Sequence, residues 1–312
     1  MFTKIAQKMQ EYNTIIIHRH SYPDGDALGS QIGLKEALKA TFPSKAVYAV
    51  GDDAKRFSFM DGSTMDEVLD EQYEGALAVI LDCGSAHLIS DDRYKKAAAT
   101  VRFDHHIFCE NIAELEVVDT SYESCCGLLT EFLLAVGFEI NSQAAKALFT
   151  GMVTDSGRFR YDSTNANTFR LASALMERKF DTNSIYSQLY ADDFAFVKLR
   201  AQFVLKIQMT EHKVAYIYTT KEELATYNAD TFTISRGMVN TMSDLRGVDS
   251  WVNFTETEDK VLCEIRSAKY NINPIAVKYG GGGHAKASGA SLKDRAEAMA
   301  LLADLNALDK GE

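Results

Sequence analysis

The chain has 312 residues, of which 46% are hydrophobic and 25% are charged. This length and balance are typical of a globular protein with about two domains. The formal net charge of -11 argues against binding of long nucleic acid, which depends on many Lys and Arg contacts to phosphate, but it is compatible with a small anionic substrate in a locally positive pocket.

The N-terminal pattern predicts a helix and not a targeting segment. Residues 1–14 are amphipathic and lack the apolar region and the small-residue cleavage site of a signal peptide. No apolar run approaches the roughly 18 residues that a membrane span needs. The five cysteines show no C-x-x-C spacing, so we expect reduced thiols, a cytoplasmic location and no membrane partner.

The first half alternates short apolar runs with helical patterns, which predicts a parallel α/β sheet covered on both faces. The predicted strands are residues 14–20, 45–50, 76–84, 99–106 and 115–120. The predicted helices are residues 27–42, 125–138 and 142–156.

The region from about 165 to 208 is mostly helical in pattern and predicts a connector to a second domain. The second half predicts strands at 212–220, 250–257 and 260–267 and a final helix at 291–308. We place the boundary near 190–205, which gives a first domain of residues 1–195 with the connector and a second of residues 196–312. The prediction is an α/β protein with an N-terminal parallel-sheet domain and a smaller C-terminal α/β domain, separated by a cleft.

Acidic and histidine residues cluster where four apolar runs end. They are His20, Asp24 and Asp26 after the first run, Asp82 after the third, Asp104, His105 and His106 after the fourth, and Asp155 after residues 147–154. In an open parallel sheet, ligands bind outside the carboxyl ends of the strands. We therefore expect four strand ends to bring these side chains into one cleft.

The donor types indicate a metal site. Two imidazoles and four carboxylates, without a thiolate, favour a fairly hard divalent ion; Mn²⁺ fits best, with Mg²⁺ and Co²⁺ as alternatives. Six side chains suit two ions about 3.5–4 Å apart, bridged by one carboxylate, which activate a water and hold phosphoryl oxygens. A single Asp at a strand end is more often a turn former or a helix cap, so the prediction depends on the six side chains together.

Four separated motifs resemble those of the DHH phosphoesterase superfamily. The motifs are H-x-x-x-D-x-D (His20, Asp24, Asp26), LDCG (Asp82), DHH (104–106) and TDSGRF (154–159). The second half adds GGGGHAKASG (280–289), preceded by IRS (265–267) and NINPIA (271–276), which looks like the associated DHHA1 domain. The resemblance covers nearly the whole chain and is strongest to bacterial short-oligonucleotide nucleases that also act as pAp phosphatases. Ser156 stands where Thr is common and keeps the hydroxyl.

The resemblance implies a role for each residue of the cluster. It implies one ion held by His20, Asp24 and Asp82, and a second ion held by Asp26, Asp82, His105 and Asp155, with Asp82 as the bridge. It also implies that His106 faces the substrate phosphate and that Asp104 supports the motif from behind. Asp82, Asp104, His105 and His106 are therefore the predicted catalytic residues.

The second domain carries a predicted phosphate grip. Its residues are Gly281, Gly282, Gly283, His284 and Arg266. Glycines let backbone N–H groups approach an anion closely, and Arg can hold a phosphate with two hydrogen bonds. From the glycines alone, a flexible loop is the competing interpretation.

Several other residues lie outside the predicted metal ligands and the predicted phosphate grip. Arg158 is a candidate to reach the cleft and bind substrate. Three aromatic residues are candidates either for stacking on a base or for packing; they are Tyr22, Phe159 and Tyr161. We expect His18 to be structural, and His87 and His212 to be surface residues.

The expected function is hydrolysis of short oligonucleotides, such as pApA, to mononucleotides and of pAp to AMP. The expected partners are these substrates and two metal ions, and a homodimer stays open. The alternatives are a cyclic-dinucleotide phosphodiesterase, a family II inorganic pyrophosphatase, a processive single-strand DNA exonuclease and a non-catalytic nucleotide sensor. The glycine-rich motif argues against the pyrophosphatase, the chain length against the exonuclease, and the six retained ligands against the sensor.

Overall fold

A computed structural model describes residues 1–308 of the chain, so the last four residues of the predicted second domain lie outside the described residues. The chain forms two compact units, Met1–Ala191 and a second unit that begins at Asp192. Both contain a β-sheet and helices, which confirms the predicted α/β class. None of the helices within residues 1–308 is long and apolar enough to cross a membrane.

The first unit is built on a five-stranded parallel sheet in the order β2-β1-β3-β4-β5. Its strands are β1 (Thr14–His18), β2 (Ala46–Ala49), β3 (Leu77–Leu81), β4 (Ala99–Asp104) and β5 (Leu115–Val118). Its α-helices are α1 (Phe2–Glu11), α2 (Gly25–Thr41), α3 (Cys125–Val136), α4 (Ser142–Asp155), α5 (Ala166–Met176) and α6 (Thr182–Tyr190). Short 3-10 turns lie at Lys55–Phe57, Asp70–Tyr73, Ala86–Leu88 and Asp92–Lys96.

The central strands are buried on both faces, as their continuous apolar sequences predict. All five residues of β3 are buried, as are the last four of β1. Alternate residues belong to different core clusters: Ile15 and Ile17 pack with the helices of one face, whereas Ile16 packs with Tyr73 on the other. The sheet is therefore a rigid base for the residues that follow its strands.

Helices α2 and α4 pack unusually closely along a row of glycines. Gly25, Gly29 and Gly33 are spaced four residues apart and share one face of α2. A Cβ at Gly25 would lie 2.4 Å from Thr154 Oγ1, and a Cβ at Gly29 would lie 2.6 Å from the Ala147 carbonyl oxygen. Only glycine permits this approach, which places the N-terminus of α2 beside the C-terminus of α4.

The second unit contains a six-stranded sheet in the order β10-β11-β9-β8-β7-β6, in which only β7 and β8 pair in parallel. Its strands are β6 (Gln208–Met209), β7 (Ala215–Thr219), β8 (Ser250–Glu256), β9 (Val261–Ser267), β10 (Gly282–His284) and β11 (Ala287–Leu292). Its helices are α7 (Phe194–Leu205), α8 (Lys221–Thr226), α9 (Asn273–Lys278) and α10 (Arg295–Leu308), with a π-helical turn at Thr233–Gly237 and a 3-10 turn at Val239–Met242.

One predicted boundary in this unit is wrong. The final helix begins at Arg295 and not at residue 291, because Ser291 and Leu292 belong to strand β11. Leu292 is buried in the core between this sheet and α10. Strand pairing with β9 therefore takes these residues before the helix begins.

Candidate metal centre

The first unit brings the predicted metal ligands together at the carboxyl edge of its sheet. Three segments follow strands: His20 to Asp26 after β1, Asp82 after β3, and His105 with His106 after β4. The fourth does not, because Asp155 is the last residue of helix α4. The expectation of four strand ends is therefore wrong for Asp155, which reaches the site through the close packing of α2 and α4.

Asp82 lies at the middle of the cluster, and its two carboxylate oxygens face different histidines. Oδ2 lies 3.5 Å from His20 Nε2, whereas Oδ1 lies 3.6 Å from both His105 Nε2 and His106 Nδ1. Asp82 is 2% exposed, and its buried Oδ1 has no hydrogen-bond partner among the described residues. A buried carboxylate oxygen without a donor is costly, so this atom fits a ligand of a cation.

The ligand atoms fall into three groups, each with all its atoms within 4.8 Å of one another. The groups are His20, Asp24 and Asp82; Asp26, His105 and Asp155; and Asp82, His105 and His106. The Nε2 atoms of His20 and His105 lie 3.5–3.9 Å from oxygens of the nearby aspartates, too far for good hydrogen bonds. Two atoms that each lie about 2.1 Å from one ion are at most about 4.2 Å apart, so these separations fit shared ions.

The loop after β1 holds His20 and Asp24 by local hydrogen bonds. His20 Nδ1 lies 2.8 Å from the Ser21 carbonyl oxygen, which identifies Nδ1 as the donor and leaves the Nε2 lone pair toward the cluster. Asp24 is the N-cap of α2, and its Oδ1 accepts from the backbone N–H groups of Asp26 and Ala27 at 2.9 Å. The cap role and a ligand role are compatible, because Oδ2 is not used by the cap.

Asp26 is held at the N-terminus of helix α3. Its oxygens accept from the backbone N–H groups of Cys125 at 2.7 Å and Cys126 at 2.9 Å. Asp26 is nevertheless 1% exposed, and burial together with the neighbouring Asp82 and Asp155 carboxylates raises its pKa well above the usual range. The helix end alone thus does not offset the negative charge.

Burial and the neighbouring carboxylates also shift the pKa values of other groups in the cluster. Burial and the nearby Asp82 raise the pKa of Asp155 to about 7 against the lowering effect of His105. Burial lowers the pKa of His20, but the contact with Asp82 outweighs it and raises the value to about 9. The excess negative charge of the cluster thus favours the protonated form of both its carboxylates and its imidazoles, as expected of a site that binds cations. The residues fit a pair of hard divalent cations.

Behind His106 lies a fully buried ion pair. Asp104 Oδ1 is 2.7 Å from His106 Nδ1, and Asp104 Oδ2 is 2.6 Å from Arg102 Nη2. Asp104 and Arg102 are both 0% exposed, whereas the His106 side chain is half-exposed. The hydrogen bond to Asp104 raises the pKa of His106 to about 9, even though burial lowers it. Asp104 therefore fixes the ring so that Nε2 is free to face a ligand.

A second buried network, which the sequence pattern did not predict, holds the loop after β1. Arg19 is 0% exposed and donates to Asp52 Oδ1 at 2.8 Å, the His20 carbonyl oxygen at 3.0 Å and Gln31 Oε1 at 3.0 Å. Asp52 Oδ2 in turn accepts from the backbone N–H of Tyr22. The usable signal was the arginine inside an apolar strand pattern, since a buried charge requires a partner.

The predicted phosphate grip lies in the second unit. Arg266 is on β9, His284 is exposed on β10, and Ala287 of β11 pairs with both. Residues directly opposite in an antiparallel sheet share a face, so both side chains belong to the same side. Arg266 is already engaged, with Nη1 3.1 Å from Glu264 Oε2.

Two of the predicted glycines have structural explanations. A Cβ at Gly281 would lie 2.1 Å from the Gly289 carbonyl oxygen, and Gly283 has a φ of +136°. A Cβ at Gly282 would meet nothing within 4 Å. The segment is thus a paired strand and not the flexible loop that the glycines alone permit.

The remaining candidates are dispersed. Arg158 is exposed on the turn after Asp155 and stacks on Tyr190, 4.4 Å from the ring centre. Phe159 packs against Phe149 and Phe169, which settles it as a packing residue. Both Arg158 and Phe159 have a positive φ, a strained backbone for side chains of this size.

Two exposed aromatics flank the cluster in sequence, and the other histidines stand apart. Tyr22 is 76% exposed and Tyr161 is 62% exposed. His18 is fully buried beside Tyr73 and Tyr94, and His87 is exposed. His212 is partly exposed.

Comparison with known proteins assigns both halves of the chain. Residues 14–152 match the DHH family, N-terminal domain, and residues 213–310 match the DHHA1 domain. The bifunctional oligoribonuclease and PAP phosphatase NrnA of Bacillus subtilis is 36% identical over 99% of both chains. The probable bifunctional oligoribonuclease and PAP phosphatase NrnA of Streptococcus mutans is 34% identical, again over 99% of both.

A solved structure supports the fold over the same length. The crystal structure of an exopolyphosphatase-related protein from Bacteroides fragilis superposes with a TM-score of 0.84 at 24% identity, covering 99% of this chain and 97% of the other. Two domain matches, full-length relatives above 30% identity and a clustered ligand set thus agree. The chain belongs to the DHH family and carries both the DHH N-terminal domain and the DHHA1 domain.

Proposed function

We propose that this protein is a metal-dependent phosphoesterase that hydrolyses short oligoribonucleotides to mononucleotides and pAp to AMP. The observation that carries the proposal is the central carboxylate of Asp82, whose two oxygens face different histidines and whose Oδ1 lacks a donor among residues 1–308. The names of the Bacillus and Streptococcus relatives supply the two substrate classes. Their near-complete coverage of the chain supports transfer of both activities.

The ligand sets follow two of the three groups of side chains, with Asp82 shared between them. His20, Asp24 and Asp82 would hold one ion, and Asp26, Asp82, His105 and Asp155 would hold the other. Two divalent ions in such a site supply a water of lowered pKa and neutralise the charge of the phosphoryl group. Hard oxygen and imidazole donors favour Mn²⁺ for both positions, with Mg²⁺ and Co²⁺ as alternatives.

The chain's own groups then bind and orient the substrate. His106, held at Nδ1 by Asp104, directs Nε2 to a phosphate oxygen, and its raised pKa keeps the ring charged near neutral pH. In the second unit, Arg266 and His284 hold a terminal phosphate, and the backbone of Gly282 lets it approach closely. Arg158 is exposed on the turn after Asp155 and is a further candidate for the substrate.

The cellular location belongs to the same proposal. All five cysteines are free thiols, and four of them are buried. Buried reduced thiols are typical of a cytoplasmic protein, which is where short RNA fragments and pAp would be met.

A substrate panel tests the proposal. The purified protein is incubated with Mn²⁺ and pAp, pApA, a 5′-hydroxyl dinucleotide, a cyclic dinucleotide or pyrophosphate, and the products are separated by length and phosphate release. Turnover of both pAp and pApA to AMP is expected, and EDTA should abolish it. Turnover of pyrophosphate alone, or binding of nucleotides without hydrolysis, would contradict it.

A further inference from the structure

Glu264 lies directly beside the arginine that is proposed to hold phosphate. The two residues are two positions apart on β9 and therefore point to the same side of the sheet. Their side chains are 22% and 15% exposed, and Oε2 of Glu264 accepts from Nη1 of Arg266 at 3.1 Å. A carboxylate in an anion-binding site is unexpected and calls for a physical role.

Two rows of facing residues run across β9, β11 and β10 on this side of the sheet. The first row is Glu264, Gly289 and Gly282, and the second row is Arg266, Ala287 and His284. The first row has no side chain beyond that of Glu264, and a Cβ on Gly289 would lie 3.5 Å from Glu264 Oε1. The carboxylate thus lies over glycine backbone, in the row next to that of Arg266 and His284, the residues proposed to hold a phosphate.

The pairing leaves part of the guanidinium available. An arginine carries five N–H donors. Nη1 donates to Glu264 Oε2 and, at 2.8 Å, to the Ile265 carbonyl oxygen. The guanidinium of Arg266 makes no other hydrogen bond to residues 1–308, so its Nε–H and Nη2–H groups can donate to two phosphate oxygens. Glu264 therefore does not block the anion but adds a negative charge next to it.

We propose that Glu264 weakens the hold of Arg266 on a terminal phosphate dianion, so that the 5′-mononucleotide product leaves readily. The inference rests on the proposed function, in which Arg266 binds a terminal phosphate. Repulsion by Glu264 opposes a terminal phosphate dianion, whether that phosphate belongs to the substrate or to the product. Glu264 thus sets how tightly the protein holds a terminal phosphate, and therefore how readily the mononucleotide product leaves.

Substitution by glutamine separates charge from geometry. In E264Q, the amide side chain keeps an oxygen that can accept from Arg266 Nη1, but the negative charge is removed. We expect E264Q to bind AMP about threefold to tenfold tighter than the wild type, as for loss of one partly screened charge. Binding of adenosine, which has no phosphate, should not change.

The experiment is an equilibrium titration of the full, metal-free chain with AMP and with adenosine. It compares the wild type, E264Q, R266A and the double variant, with E258Q as a control that removes an exposed carboxylate paired with Lys221. R266A should weaken AMP binding, and E264Q should add nothing in its presence. E258Q should bind AMP as the wild type does.

The outcomes distinguish a failure of the role proposed for Glu264 from a failure of the proposed phosphate grip. If R266A weakens AMP binding but E264Q binds AMP no tighter than the wild type, the role assigned to Glu264 is wrong and the phosphate grip stands. If R266A binds AMP as the wild type does, the grip in the proposed function fails, and the inference fails with it.

Discussion

At the scale of single residues, the proposed pair of metal ions depends on Asp82, whose oxygens face His20 on one side and His105 and His106 on the other. Asp82→Asn keeps the size of the side chain but removes the charge that two ions would share. We expect the fold to remain and kcat for pAp to fall by roughly a thousandfold or more, since a bridging carboxylate serves both ions. A folded Asp82→Asn protein with near-normal kcat would exclude the dinuclear assignment.

Asp155 gives a prediction on pH and stability in the metal-free protein. Burial and Asp82 raise its pKa to about 7 in the folded chain, whereas an unfolded Asp titrates at about 3.9. The folded state therefore binds the proton more tightly, and its free energy of unfolding falls as pH rises between these two values and stays low above them. Asp155→Asn has no proton to lose and escapes this penalty.

We therefore expect metal-free Asp155→Asn to be more stable than the metal-free wild type at pH 8, by on the order of 1–3 kcal/mol. The difference should be smaller at pH 5. Urea unfolding in EDTA measures both values, and the exposed Asp162→Asn variant is the control. Adding Mn²⁺ should reverse the order, because the wild type gains more from the ion. A wild type that is as stable as Asp155→Asn at pH 8 without metal would contradict the destabilising effect inferred for the buried Asp155 charge beside Asp82.

The sequence predicted the clustering of the ligands and the supporting role of Asp104, but not the network of Arg19 and Asp52. His20, Asp24, Asp82 and His105 meet because chain polarity places strand ends on one edge, and this follows from sequence pattern alone. Arg102 and Asp104 lie two residues apart on β4, so strand alternation alone places them on one side. Arg19, by contrast, finds Asp52 through tertiary packing, and nothing local in the sequence identifies this partner, which is 33 residues away.

At the scale of elements, the packing of α2 on α4 positions Asp155 near Asp26. Gly29→Ala would normally favour a helix by up to about 1 kcal/mol. Here the added Cβ would lie 2.6 Å from the Ala147 carbonyl oxygen and 3.0 Å from Cys126 Sγ, so α2 must move away from α4. We expect a net loss of about 1–3 kcal/mol in stability and weaker Mn²⁺ binding.

Chemical unfolding and Mn²⁺ titration measure the two effects. Gly237→Ala is the control, because its nearest neighbour would be Thr233 Cγ2 at 3.8 Å, an ordinary contact. A Gly29→Ala protein with wild-type stability and wild-type Mn²⁺ affinity would show that the glycine row does not position the site.

Strand and helix prediction succeeded where apolar runs were long and failed where residues were small. Strands β1 and β3 are largely apolar segments and were predicted, as was β4, in which Arg102 and Asp104 interrupt the apolar pattern. Strands β10 and β11 consist largely of Gly, Ala and Ser, which have little strand preference of their own. Strand β9, whose residues are alternately buried, pairs with β11, and β11 in turn pairs with β10.

At the scale of the whole molecule, the candidate site residues are divided between the two units. The first holds every candidate metal ligand, and the second holds the candidate phosphate grip. The two-domain α/β architecture was predicted from the alternation of patterns, and the domain matches confirm it. The exact boundary stays a prediction, because the sequence has no Pro- or Gly-rich linker between 190 and 205.

The number of Mn²⁺ ions bound per chain tests the central claim most directly. The metal-stripped protein is equilibrated with Mn²⁺ by dialysis at neutral pH, and metal and protein are quantified in the same sample. If the site is dinuclear, the wild type binds two ions tightly per chain. A single tightly bound ion, or none, in a correctly folded wild type would contradict it.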